Sequence, residues 1–180
     1  MSLRLTVASV AVAALSTAAS AGSSTTFSFP LGGDQQNPPV STSAFGTGSI
    51  TYDTNTMTFD IEILVEGITT GLLLGVGPNS TPLHIHNAPA GSNGGIVVDL
   101  GLFGTLENVG GPFGGGTGFR YTASGLSING QESNLFDGNL YVNIHTTSFG
   151  GGEIRGQIVP APAAVSLLGL GGLATLRRKR

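Results

Sequence analysis

The feature that most constrains the fold of this chain is a strict alternation between residues 56 and 66, "TMTFDIEILVE". Met57, Phe59, Ile61, Ile63 and Val65 fall on one side, and Thr58, Asp60, Glu62 and Leu64 on the other. Successive side chains of a β-strand point to opposite faces, so a two-residue period of this kind predicts a strand with one buried face. The run pairs naturally with "GTGSITYD" through a turn at Asp53, Thr54 and Asn55. Further strands are expected near 24–30, 82–87, 95–100, 118–124, 138–146 and 152–159, with Gly, Pro and Asn at most of the breaks. No stretch of the middle carries a sustained helical period. Residues 68–77 read as a short helical turn or a loop, and "GGPFGGGTG" (110–118) as a flexible loop. About eight short strands with glycine-rich connections predict an all-β protein, a Greek-key sandwich or barrel in a single domain.

With 180 residues, the chain has room for one such domain and short appendages. It has no cysteine, which removes disulfides, thiolate nucleophiles and Cys-ligated metal sites. Export is still open to it, because a domain of this size buries enough apolar surface without staples. The formal charge of −3 hides an asymmetry. Arg4 lies near the start, and Arg177, Arg178, Lys179 and Arg180 close the chain. Between them stand two arginines, Arg120 and Arg155, against all ten acidic residues, a net charge of −8. Such a surface repels phosphate backbones and excludes nucleic acid as a partner. With no lysine in that middle part, a Walker-type phosphate loop is excluded too.

The two ends read as addresses. At the N-terminus Arg4 is followed by an apolar run, Leu5 to Leu15, and by the small-x-small site Ala19-Ser20-Ala21, the layout of a secretory signal peptide over residues 1–21. At the C-terminus the Pro-containing motif from Val159 to Pro162 precedes an apolar run from Ala163 to Leu176 and four basic residues. That run is short of the roughly 20 residues of a comfortable helical span, and the basic end would stay cytoplasmic. Motif, short apolar helix and basic end over residues 159–180 resemble the PEP-CTERM sorting signal of Gram-negative bacteria, with Ala161 standing where that signal has Glu. The resemblance implies an exosortase-type membrane protease as processing partner and a cell surface or exopolysaccharide setting. A tail retained as a weak membrane anchor is the alternative. Either way the working domain covers residues 22–158 and lies outside the cytoplasmic membrane.

The chemistry-bearing residues are few. "LHIHN" places His84 and His86 on one face of a strand, about 7 Å apart, and "NLYVNIHT" puts His145 on the same parity as Tyr141 and Asn143. If the two strands are neighbours, the three histidines converge on one point. Two or three imidazoles at that spacing suit a copper or zinc ion. Hydrogen-bonded structural histidines that fix loops such as 87–95 are the plainer reading, and both stay open here. In "GGGEIRGQIV" the scarce cation Arg155 is expected in a fixed ion pair with Glu153 or Asp99, with an anion-binding site as the alternative.

Catalytic templates fail. There is no Cys–His dyad, the near-elbow "GLSIN" from Gly125 has Asn129 at its last glycine position, and no carboxylate pair can be placed at glycosidase separation. Asn79-Ser80-Thr81 matches a glycosylation sequon, which the bacterial-looking tail makes accidental. The absence of Trp and the three tyrosines argue against the aromatic platform of a carbohydrate-binding module.

"HIHNAPAGSNGGIVVDLG" (84–101) and "LYVNIHTTSFGGGEIRGQI" (140–158) together resemble the two signature blocks of the CHRD (chordin) domain. The second block is the more specific, through Tyr141, Val142, Asn143, Ile144, His145, Thr146, Gly152, Glu153, Ile154, Arg155, Gly156 and Gln157. Gly95 stands where the family usually has Pro, and the loop before Gly152 lacks the family's Pro. The resemblance implies an extracellular all-β domain, of the kind found in secreted growth-factor-binding proteins of animals and in exported proteins of bacteria. The HxH strand and the β-rich layout are also similar to copper–zinc superoxide dismutase, whose dinuclear site needs more histidines than this chain owns. Two expectations follow. The first is an exported, non-enzymatic protein of the cell envelope or surface, with a structural, adhesive or ligand-binding role and no cofactor. The alternative is a mononuclear copper or zinc protein ligated by His84, His86 and His145, with redox activity within its reach.

Overall fold

The computed structural model describes residues 23–75 and 81–160. The signal peptide, the sequon's Asn79 and Ser80, and all of the sorting tail except Val159 and Pro160 lie outside the described residues.

The alternating run forms β3 (Thr58–Glu66), and its register with β2 (Phe45–Asp53) sets Ile61 opposite Ile50 and Phe59 opposite Tyr52. Phe59, Ile61, Ile63 and Val65 are buried, as the period requires. Met57 is not among them. It sits in the turn with a φ of 55° and is 61 % exposed, because the turn that Asp53 organises by accepting from the Asn55 amide extends through it. β1 (Ser24–Gly32) pairs along the whole length of β2. The remaining strands are β4 (Leu83–Asn87), β5 (Gly95–Asp99), β6 (Thr105–Val109), β7 (Gly118–Ser127), β8 (Leu140–Ile144) and β9 (Ile154–Ile158). A single five-residue helix, α1 (Glu132–Phe136), and short 3-10 turns complete the described elements.

The described residues therefore form nine strands rather than eight. The extra one, β6, is an edge strand whose exposed residues carry no apolar alternation. The order across the sheet is β5-β4-β8-β9-β1-β2-β3-β7-β6. All pairs are antiparallel, and the sheet curls into a half-barrel of the sandwich or barrel class. Phe27, Ile50, Ile63, Leu83, Ile85, Phe119, Tyr121 and Val142 are among the side chains that fill its concave side. All three tyrosines are buried.

The half of the sheet that bears on function is β5-β4-β8-β9. Ile85 lies opposite Val142, and Leu83 opposite Ile144; this row faces the core. The other face carries two polar rows in register. Asp99, His84, Asn143 and Arg155 form one, and His86, Tyr141 and Gln157 the other. Every residue of β8 and β9 is buried, so this polar face is covered as well. Its cover is the chain at 33–42 and 87–94. Gln35 accepts from the Gln157 amide, Asn37 donates to the Gly91 carbonyl, and Asn93 donates back to the Asn37 carbonyl. Buried polar groups must find partners, which is why these strands, half polar in sequence, hold a dense hydrogen-bond network instead of facing water.

Candidate metal centre

β4 and β8 are direct neighbours, so the three histidines converge. One nitrogen from each of His84, His86 and His145 lies within 4.8 Å of the others. The rings of His84 and His145 have centroids 5.0 Å apart, and those of His84 and His86 5.6 Å.

What surrounds each ring fixes its tautomer. Thr81 donates its hydroxyl proton to Asp99, so its oxygen accepts from Nε2–H of His84, at 2.9 Å, and Nδ1 of His84 keeps its lone pair. His86 donates Nδ1–H to the Gly94 carbonyl, at 2.9 Å, which leaves the Nε2 lone pair. His145 donates Nδ1–H to the Gly150 carbonyl, also at 2.9 Å, and its Nε2 accepts a long contact of 3.3 Å from the Asn143 amide. Each ring is thus anchored on its outer side, and its basic nitrogen faces inward. Metal-ligating histidines are oriented in this way by an outer partner on the second nitrogen.

The accounting of buried polar atoms points to the same spot. Among the described residues, two buried side-chain nitrogens or oxygens have no hydrogen-bond partner, and they are Nδ1 of His84 and Nε2 of His86. A buried group left unsatisfied costs about 1–3 kcal/mol. Both rings are held in the neutral form. Burial, seconded by the nearby His145, lowers the pKa of His84 to about 4 against the pull of Asp99. Burial lowers that of His86 too, partly opposed by the hydrogen bond to Gly94, with His145 and Arg155 adding to the decrease. Neutral imidazole is the form that ligates a metal.

Behind His86 stands a stack. The Tyr141 ring lies parallel to the imidazole, 11° between planes and 5.0 Å between centroids. The Arg155 guanidinium lies over the same tyrosine ring, 3.4 Å from its centroid. The expected ion pair of Arg155 does not form. Glu153 is taken by the hydroxyls of Thr42 and Thr146, and Asp99 by Thr81 and the Gly101 amide. Arg155, 1 % exposed, donates instead to the carbonyls of Ser92 and Pro89 and to Gln157. Its parity, shared with Gln157 and opposite Asn143, puts it on the covered polar face, where the 87–94 loop over it offers carbonyls and no acid. The loop it grips carries Gly94, whose N–H meets the Tyr141 hydroxyl while its C=O holds His86. A Cβ on Gly94 would lie 1.8 Å from the Asn87 carbonyl oxygen, so only glycine lets this strand end approach so closely.

The sequence pointed to the three ligand candidates. It did not point to Thr81, Gly94 or the Gly150 carbonyl, which act through backbone shape or through a relay to Asp99. The parity of Asn143 with His145 was the one available signal for the amide beside the site.

A family model for the CHRD domain matches residues 27–158. The chain belongs to the CHRD domain family. No curated protein and no solved structure matches it. In this CHRD domain both signature blocks supply the cluster: the first brings β4, the loop at Gly94 and Asp99, and the second brings β8, β9 and the Arg155 stack.

Proposed function

We propose that this CHRD domain binds one transition-metal ion, copper or zinc, through Nδ1 of His84 and Nε2 of His86 and His145, and that it works outside the cytoplasm. The observation that carries the reading is the pair of orphaned buried nitrogens, both in the one cluster of the described residues where three imidazoles converge. An ion at metal–nitrogen distances of about 2.0–2.1 Å removes both orphans at once, and closing the cluster to that distance asks for ring rotation within an already anchored set. Three-imidazole sets suit zinc and copper alike. Action outside the cytoplasm rests on the signal-peptide pattern at residues 1–21. A surface setting reached by exosortase-type processing rests on the tail pattern at 159–180, and a structural or adhesive role at the surface is compatible with a bound ion.

The test is elemental mass spectrometry for copper, zinc, manganese and iron on the chain expressed with its own N-terminus and no histidine tag. One ion per chain is expected, with loss of that ion in a His84→Ala/His86→Ala double variant that still shows the wild-type β-sheet circular dichroism. A metal-free wild type that resists reloading with copper and with zinc would leave the histidines as pieces of sheet architecture.

A further inference from the structure

We propose that the metal centre keeps a fourth coordination position for a small anion, and that Asn143 is the residue that recognises it. The inference rests on the metal-binding reading above and goes beyond it to the ligand.

The Asn143 side-chain amide has two N–H groups to place. Its orientation is set from both sides: Gln36 donates to its oxygen at 2.7 Å, so the nitrogen faces the other way, toward the Gly151 carbonyl at 3.2 Å and Nε2 of His145 at 3.3 Å. Gly152 makes room for this arrangement. It has a φ of 117°, and a Cβ there would lie 2.2 Å from the amide oxygen and 2.6 Å from the amide nitrogen. Asn143 is 4 % exposed, so water does not serve it freely. One amide N–H goes to Gly151, and the other rests on the lone pair of His145 Nε2. Once a metal takes that lone pair, the second N–H loses its acceptor while buried beside a cation. An amide nitrogen has no lone pair to give a metal, and its N–H dipole points the wrong way for a direct contact. An anion bound to the metal and accepting from Asn143 resolves both problems.

Charge leads to the same kind of ligand. All three protein ligands are imidazoles, which bring no negative charge, so they leave the ion's charge uncompensated. The nearest carboxylates are already committed, Asp99 behind Thr81 and Glu153 to two threonines. The residue opposite Asn143 across β9 is the unpaired cation Arg155. The site therefore lacks negative charge, and the amide N–H sits one hydrogen bond from a metal ligand, where it can donate to the bound atom of a small anion such as hydroxide or azide.

The probe is azide. The full chain is loaded with copper(II), azide is titrated in, and the azide-to-copper charge-transfer absorption and the electron paramagnetic resonance spectrum are followed. The wild type is expected to bind azide at one site per copper. Asn143→Ala and Asn143→Leu are expected to keep one copper per chain and to bind azide about tenfold more weakly or worse, as loss of a hydrogen bond to a charged acceptor requires. If those variants do not fold, Gln36→Ala, which keeps the amide and frees it to turn, is expected to weaken azide in the same direction. Copper that binds without any spectral response to azide overturns the fourth position and leaves the metal site standing. Equal azide affinity in wild type and in the folded variants overturns the role of Asn143. A chain that takes up no copper and no zinc overturns the metal reading, and this inference with it.

Discussion

Replacing Arg155 by methionine tests the reasoning about the covered polar face most directly. The guanidinium is buried and has no carboxylate partner. It satisfies the carbonyl oxygens of Ser92, at 2.7 Å, and Pro89, at 3.2 Å, and the side-chain oxygen of Gln157, at 2.7 Å. Methionine keeps part of the stack on Tyr141 and loses all three donors. Each orphaned acceptor costs about 1–3 kcal/mol, and the desolvated cation–π contact adds up to about 2. Against this, the variant no longer holds an uncompensated charge away from water, which returns several kcal/mol. Taking about 2 kcal/mol for each of the three acceptors, the balance is a loss of about 3–5 kcal/mol, a large fraction of the roughly 5–15 kcal/mol that holds a domain folded. Urea denaturation of the metal-free chain, followed by circular dichroism, measures it as a lower midpoint with an unchanged slope. Arg155→Lys is expected to fall between, since an ammonium reaches fewer of the three acceptors in one geometry. A loss below about 1 kcal/mol for the methionine variant would refute the argument: the loop at 89–94 would then be held by something other than the guanidinium, and its grip on His86 would need another explanation.

Stability of the metal-free domain is expected to fall with acid. His84 titrates near 4 in the folded chain against an ordinary 6.5. The unfolded chain therefore binds more protons in that interval, and stability that is complete above about pH 6.5 drains away as pH falls toward 4. Allowing for solvent screening of a half-exposed group, the loss is about 2 kcal/mol. Chelator-treated protein melted in urea at pH 7.5 and 4.5 shows it, and His84→Gln flattens the profile. Gly94→Ala is expected to abolish metal uptake and to cost about 1–3 kcal/mol, because its Cβ meets the Asn87 carbonyl. Gly95→Ala, with nothing near its Cβ, stays within about 0.5 kcal/mol of wild type and keeps the metal; equal behaviour of the two would dismiss the steric argument. Glu62→Gln breaks the 2.7 Å ion pair to Arg120, but both side chains are 44 % exposed, so thermal melts are expected to differ by the equivalent of about 0.5 kcal/mol or less.

The strands that sequence reveals best are those with one wet face. β3 is legible because Asp60, Glu62 and Leu64 mark its outer side and Phe59 to Val65 its inner one. β8 and β9 are legible through the polar parity of Tyr141, Asn143, Arg155 and Gln157. Their burial on both faces is not legible, because the cover comes from loops at 33–42 and 87–94 whose path no local period encodes. The same gap explains the ion pair that does not form. Arg155 looks unpaired along the chain, and an acid is the obvious partner, yet backbone carbonyls of a distant loop are equally good acceptors and leave no mark in the sequence. The three histidines share a face by parity alone. Their convergence needed β4 beside β8, a pairing between segments far apart in the chain, and the inward lone pairs needed the Gly94 and Gly150 carbonyls and the Thr81 relay. β6 escaped because, on this edge strand, only Leu106 packs against the core, too little to impose a period.

The strand order also sets a timetable. β1, β2 and β3 form consecutive hairpins and can zip together as soon as they are made, since neighbouring contacts close quickly. β4 pairs with β5 soon afterwards, but its other edge stays open until β8 and β9, the last strands of the domain, arrive with His145, Asn143 and Arg155. A nascent or truncated chain holds two histidines on a hairpin and no third. Any ion is thus captured by a finished domain rather than carried through its folding. Affinity alone discriminates poorly among transition metals. If the site takes an ion, the compartment in which the final strand docks, and the ions present there at that moment, decide which.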